Sequence, residues 1–313
     1  MNFPVMNQET IIRKLTPPSP SLKVRMVLDT DTFNEVDDQF AIVYALQSPE
    51  RLNVEAIYAA PFYNDKSEGP EDGMEKSYDE ILRILKRLNI SSESFVYKGS
   101  RGFLENYSNP YHSEAALDLV ERAMKSSEDD PLYVIAIGAL TNIASAILIE
   151  PKIIERIVVV WLGGHALNWE DTKEFNLQQD VKSAQLVLDC GVPLVLIPVM
   201  GVTSHLHTTL SEIKNFVAGK GEIGDFLAKR FEEYHDDHYA YSKVIWDISA
   251  IAYLINNESI PTQLVHSPIL TDQVTWSFNS SRHFIRYAHY VHRDVIFKDM
   301  FLKLARGAEK IVN

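Results

Sequence analysis

The chain has 313 residues, of which 46% are hydrophobic and 23% charged; this composition excludes a disordered chain, a collagen-like fibre and a disulfide scaffold. With 30 Lys+Arg against 43 Asp+Glu, the formal charge of -13 repels phosphates over most of the surface and speaks against general nucleic-acid or anionic-membrane binding. The one cysteine, Cys190, lies in an apolar stretch; it excludes internal disulfides and reads as a small buried residue.

The predicted elements begin after a lead-in, residues 1–21. It lacks a basic start followed by an apolar core, so no secretory signal is expected, and Pro17, Pro18 and Pro20 predict an extended course. Lys23–Leu28 reads as a strand, Val36–Leu46 as a helix, Val54–Ala59 as a strand, and Met74–Leu88 as a helix with Ile81, Leu82, Leu85 and Leu88 on one face. Phe95–Lys98 is short and extended, and Ser113–Lys125 is helical. Strands at Leu132–Ile137, Ile157–Leu162 and Pro193–Val199 alternate with helices at Thr141–Leu148 and Val181–Leu188. Leu210–Leu254 is mostly helical, and further strands are expected at Gln263–Leu270 and Arg282–Val291. Fully apolar strands between helices predict an α/β fold: an open, mostly parallel sheet with helices on both faces. No internal repeat or strong linker interrupts residues 22–313, so one domain is expected there. No segment reaches the roughly 20 apolar residues that span a bilayer; a cytoplasmic protein with no membrane partner is the expectation.

In such sheets ligands bind outside the carboxyl ends of the strands. The first strand ends in Asp29-Thr-Asp-Thr-Phe-Asn-Glu-Val-Asp-Asp38, which holds four aspartates, a glutamate and an asparagine at the mouth of a helix. Like charges this dense need a cation, protonation or helix-end donors. Oxygen ligands without Cys or His favour Ca²⁺ or Mg²⁺ over Zn²⁺. The plain alternative is a solvated acidic loop at a helix N-terminus, where carboxylates are favourable anyway. An EF-hand loop does not fit, because Asn34 stands where its glycine belongs and a strand precedes it. A dehalogenase-type phosphohydrolase, with Asp29 as nucleophile, fits in Asp29 and Asp31 but has Phe33 in place of its threonine.

The segment resembles the opening motif of the inosine-uridine nucleoside hydrolase family, Asp-x-Asp-Pro-Gly-x-Asp-Asp. Asp29, Asp31, Asp37 and Asp38 match its aspartates, while Phe33-Asn34-Glu35 makes the loop two residues longer and removes Pro-Gly. Val134–Ala144 resembles the family's strand and loop around Gly-Pro-Leu-Thr-Asn-Ile-Ala. Gly163-Gly164, Asn168, Glu174-Phe-Asn176 and Asp180 resemble its Gly-Gly, Asn and Ala-Glu-Phe-Asn block. Trp246-Asp247-Ile-Ser-Ala resembles its late His-Asp-Pro block, with Trp246 in the histidine's place.

The resemblance implies a Rossmann-like nucleoside hydrolase fold and cleavage of the N-glycosidic bond of ribonucleosides by water. It implies Ca²⁺ held by Asp31, Asp38, Asp247 and the backbone carbonyl of Ile137, with ribose hydroxyls and water completing the shell. Asp31 would be the general base that deprotonates the metal-activated water. Asp37, Asn64, Asn168, Glu174 and Asn176 would bind the sugar, and Asp29 would orient its neighbours through hydrogen bonds. The alternative for Glu174 and Asn176 is a surface turn before a helix, with Asp180 as a cap. Trp246 can stack on a base but cannot protonate one at neutral pH. His235, His238, Tyr239 and Tyr241 are therefore candidates for the leaving-group acid or the base pocket; the alternative is an amphipathic helix. His165, His205 and His207 read as structural. The resemblance further implies a homo-oligomer, dimer or tetramer. A non-catalytic Ca²⁺/ribose-binding protein on the same fold is the competing function, motivated by the altered loop and by Trp246.

Overall fold

The computed structural model describes residues 3–127 and 129–312. Among them the strands are β1 (Val24–Thr30), β2 (Leu52–Ala59), β3 (Val96–Lys98), β4 (Leu132–Ala136), β5 (Ile157–Leu162), β6 (Leu194–Ile197), β7 (His207–Thr208), β8 (Lys243–Val244), β9 (Thr262–His266), β10 (Ile269–Leu270), β11 (Trp276–Ser277) and β12 (Phe284–Ala288). The α-helices are α1 (Gln8–Lys14), α2 (Asp37–Leu46), α3 (Pro70–Arg87), α4 (Glu114–Lys125), α5 (Thr141–Ile149), α6 (Phe175–Gln179), α7 (Val181–Asp189), α8 (Leu210–Phe216), α9 (Gly221–Glu233), α10 (Ile248–Ile255) and α11 (Arg293–Val312). No described helix is long and apolar enough to cross a membrane.

Eight strands form one open sheet in the order β3-β2-β1-β4-β5-β6-β12-β9. Neighbours run parallel except β12 with β9. The residues explain why. β4, β5 and β6 are buried at every position, so their Leu/Ile/Val runs leave no polar face and both sides must be covered by helices. Side chains alternate along β1. Met26 and Leu28 pack on the side of Phe40, Ile81, Ile251 and Phe297, while Val27 packs on the side of Leu119, Ile143 and Val187. Cys190 is buried in this second layer, as expected.

The chain winds outward from β1 through β2 to β3, then crosses back to place β4 on the other side of β1. That reversal opens a crevice at the carboxyl ends of β1 and β4. Asp31 leaves β1 there, and Ile137 leaves β4.

Three expectations need correction. The lead-in is not extended throughout: Gln8–Lys14 is a helix, capped by the Asn7 side chain accepting from Thr10 N–H, with Ile11 and Leu15 buried. The strand expected over Gln263–Leu270 breaks after His266, and Ile269–Leu270 pairs instead with Trp276–Ser277. The C-terminal helix α11 has no counterpart among the predicted elements. Its Ile296, Phe297, Met300, Phe301 and Leu304 are buried at helical spacing, a period that the sequence does carry.

Candidate active site

The crevice holds a cavity of about 330 Å³. Asp31, Asp37, Asp38, Asn64, Ile137, Glu174, Asn176, Trp246 and Asp247 all line it, bringing together residues more than 200 positions apart. Asp37 and Asp38 open α2, and Asp247 precedes α10. The two helices pack together, which sets the N-terminal carboxylates against the late one. Asp37, Asp38 and Asp247 each present an oxygen, all within 4.8 Å of one another. Asp31 is buried beside them, and Gly138 leaves it room: a Cβ there would stand 3.0 Å from Asp31 Oδ1.

These carboxylates lack the donors their burial demands. Both oxygens of Asp31 and Oδ1 of Asp37 have no hydrogen-bond partner. Asp38 Oδ1 accepts from Thr30 Oγ1 at 2.5 Å, and Asp37 Oδ2 accepts from the backbone N–H of Trp246 at 3.1 Å. Burial pushes the carboxyl groups of Asp31, Asp37 and Asp247 well above the usual range; the neighbouring aspartates push Asp31 and Asp247 further, while at Asp37 the Lys243 ammonium works against the rise. Burial pushes Asp38 up to about 7 despite the Thr30 bond. Orphaned oxygens in a buried, mutually repelling group are the donor set that a hard divalent cation satisfies, so the residues fit a metal.

Around this centre the predicted sugar residues divide. Glu174 caps α6: its carboxylate accepts from the backbone N–H groups of Gly164, Asn176 and Leu177. It is buried in the cavity wall, and that burial pushes it up to about 7. The helix-capping and cavity-lining readings therefore describe the same residue. Asn176 Nδ2 donates to the carbonyls of Ile137 and Leu162 (3.2 and 3.1 Å). Asn64 Nδ2 donates to Asn34 Oδ1 at 2.7 Å. Asn168 is exposed and is not among the cavity's lining residues. Asp29 lies behind the wall; its Oδ2 accepts from Asn142 Nδ2 at 2.8 Å, and burial pushes it up to about 7.

The stretch 234–241 is not an amphipathic helix. α9 ends at Glu233, and the following residues form turns. His235 stacks on Tyr241 with centroids 4.2 Å apart, His238 faces Phe231, and Tyr239 is 90% exposed. None of the four lines the cavity.

Residues that the sequence assigns to no site do so instead. His165 lines the cavity, and its Nδ1 accepts from the backbone N–H of Met200 at 3.4 Å, which leaves the proton on Nε2. Burial lowers its pKa, so the ring is neutral at pH 7. Its signal was the place directly after Gly163-Gly164 at a strand end. Asn34 and Glu35, the extra residues of the opening loop, line the cavity too. Glu35 Oε2 accepts from Lys243 Nζ at 2.6 Å and Oε1 from Tyr234 OH at 3.1 Å. Burial opposes the Glu35 charge, but Lys243 outweighs it and holds the carboxyl below its ordinary range. Nothing in the sequence marks Lys243, which lies in an ordinary apolar context.

The family model described as "Inosine-uridine preferring nucleoside hydrolase" matches residues 26–281. Pyrimidine-specific ribonucleoside hydrolase RihA of Escherichia coli O1:K1 / APEC is 26% identical over 265 residues, covering 76% of this chain and 81% of its own. RihA of Salmonella typhimurium is 28% identical over 262 residues with the same coverage. Among solved structures, a purine-preferring ribonucleoside hydrolase from Gardnerella vaginalis superposes with a TM-score of 0.73 at 22% identity, covering 91% of this chain and 99% of that one. A plant nucleoside hydrolase, PpNRh1, gives 0.72 at 16% identity with the same coverage. At these identities the structural likeness speaks for the fold.

Proposed function

The chain belongs to the inosine-uridine preferring nucleoside hydrolase family, and from that premise we propose that it hydrolyses the N-glycosidic bond of ribonucleosides to ribose and free base with the help of Ca²⁺. The observation that carries this reading is the unpartnered, fully buried Asp31 carboxylate beside the Asp37, Asp38 and Asp247 oxygens in the switch-point cavity. Asp31, Asp38, Asp247 and the Ile137 carbonyl would hold the ion, and Asp37 is close enough to join them. Held there, Ca²⁺ would offer coordination positions to sugar hydroxyls and would lower the pKa of a neighbouring water.

The chain's own groups do the rest. Asp31 accepts the proton of the attacking water as its oxygen bonds to C1′. The C1′–N bond breaks with its electron pair passing to the base. Positive charge develops on the ribose as the bond lengthens, and the surrounding carboxylates and amide oxygens stabilise it. Asp37, Asn64, Glu174 and Asn176 fix the hydroxyls, an orientation effect that strongly favours reaction. Trp246 offers an aromatic face to the base. His165 lines the cavity, and its neutral ring offers the Nε2–H only as a hydrogen bond to the departing base, which takes its proton from solvent; His235, His238, Tyr239 and Tyr241 lie outside the cavity lining. Residues 22–313 act as one domain, in the cytoplasm and as a homo-oligomer of two or four copies, which sedimentation measures directly.

The test is release of ribose from a panel of purine and pyrimidine ribonucleosides. Turnover is expected, with Asp31→Ala and chelator each abolishing it, and the panel reads the base preference. The second reading, a Ca²⁺/ribose-binding protein without catalysis, is favoured by Trp246 in the histidine's place. Thermal stabilisation by Ca²⁺ and ribose with no turnover of any nucleoside would establish it instead.

A further inference from the structure

The loop that departs from the family pattern is tightly held on both sides. On one side Lys66 Nζ donates to the Asn34 carbonyl (2.5 Å) and Asn64 Nδ2 to Asn34 Oδ1. On the other, Glu35 takes Lys243 Nζ on one oxygen and Tyr234 OH on the other. Lys243 Nζ also lies 4.2 Å from the Tyr234 ring centroid. Its side chain is only 6% exposed, against 33% for Glu35, so this is a largely buried pair and not a solvated surface bridge. With both oxygens engaged, Glu35 is not poised as an extra cation ligand.

Lys243 is itself firmly placed. It pairs with Thr208 in the two-stranded ribbon of β7 and β8, and Ile245 N–H donates to Leu206 O at 2.9 Å. Three residues on comes Trp246, whose backbone N–H holds Asp37, and then Asp247. Two groups of carboxylates thus meet across the cavity, one from residues 31–38 and one from residue 247. They repel each other, and the Glu35–Lys243 contact is the oppositely charged bond that ties the loop of the first group to the segment carrying the second.

We propose that Glu35 and Lys243 are a positioning pair: their ion pair latches the lengthened acidic loop onto the segment before Asp247 and so sets the spacing of the cation-binding carboxylates. The inference rests on the proposed Ca²⁺ site and deepens it. The two extra residues are then the anchor of the site, not a ligand added to it.

The sign of one effect separates positioning from charge alone. If Lys243 acted only through its charge, removing the ammonium beside an acidic site would tighten Ca²⁺ binding. If it positions the ligands, removing it weakens binding. Ca²⁺ titration of the full-length protein without nucleoside, followed by thermal shift or calorimetry, reads this directly. Lys243→Met is expected to weaken Ca²⁺ at least fivefold and to raise the nucleoside KM more than it lowers kcat. The double variant Glu35→Gln/Lys243→Met leaves net charge unchanged and removes both members of the ion pair together. It covers the case in which the single variant fails to fold, and a similar weakening is expected of it. Binding by either folded variant as tight as wild type, or tighter, overturns the proposal. Wild-type protein that binds Ca²⁺ yet releases no ribose overturns the hydrolase reading and leaves the latch standing; wild-type protein that binds no Ca²⁺ overturns both.

Discussion

Asp29 and Asp31 lie two positions apart at the end of one strand, and both are completely buried. Their surroundings assign them different work. Asp31 faces the cavity with neither oxygen bonded, while Asp29 lies outside the cavity lining with Oδ2 held by Asn142, whose amide also touches the Ala59 carbonyl, and only Oδ1 without a partner. A base that takes a proton in the reaction contributes about 10²–10⁴-fold; a residue that orients such groups from behind is worth about 10–100-fold. Asp29→Asn is therefore expected to lower kcat/KM by roughly 10–100-fold, where Asp31→Ala removes activity. Equal losses from the two would erase this division of labour. At this scale the sequence was informative where charge was dense. Four aspartates after an apolar strand announce themselves, because the end of such a strand points into the crevice where ligands bind. Lys243 was illegible as a partner, and His165 read as structural despite its place at a strand end, for the opposite reason: a lone lysine or histidine acquires its meaning from what folds against it. Asn168 had the right spacing in the chain and still lies exposed outside the cavity lining, because spacing along a loop does not fix its direction.

Among the elements, α7 shows how a helix start fastens the crevice without joining it. Asp180 caps α7 through Ser183 N–H and also accepts from Leu104 N–H, Thr141 Oγ1 and Ser183 Oγ. One buried carboxylate thereby joins α7 to the start of α5 and to the loop at Leu104. A lost cap costs about 1 kcal/mol and each buried charged hydrogen bond about 1.5–3. Asp180→Ala is thus expected to destabilise the fold by about 3 kcal/mol or more, lowering Tm by roughly 6 °C at about 2 °C per kcal/mol for a chain this long. The kcat/KM of the folded protein should stay near wild type, and calorimetry beside an activity assay checks both. A loss of activity with unchanged Tm would place Asp180 in the chemistry instead. Elements that are buried on both faces were legible, since their apolar runs have few other solutions: Ile157–Leu162 is the strand predicted to the residue. Short or marginal elements were not. α6 is five residues held by the Glu174 side chain, too short for any period to appear, and α1 is hidden by the prolines that follow it.

Over the whole molecule, the acidic site links stability to both pH and cation. Without a cation, Asp29, Asp38 and Glu174 are pushed up to about 7 by burial, and Asp31, Asp37 and Asp247 are raised as well. In the unfolded chain these groups titrate near 4. Between about pH 4 and 7 the folded protein therefore holds protons that the unfolded chain has released. With more protons bound to the native state, the slope of unfolding free energy against pH is negative: the cation-free protein loses stability as pH rises through that window. A divalent cation binds the ionised form, so it displaces those protons and cancels the loss. Ca²⁺ at about 100 times its Kd adds roughly 2.7 kcal/mol, or about 5 °C in Tm, once the carboxylates are free to ionise. Thermal melts in chelator should thus fall from pH 5 to pH 8, and the increment from Ca²⁺ should be small at pH 5 and about 5 °C at pH 8. Titrating groups elsewhere on the molecule affect both conditions alike, so the difference between the two melts isolates the site. An increment independent of pH would mean that the buried aspartates are not what the cation meets.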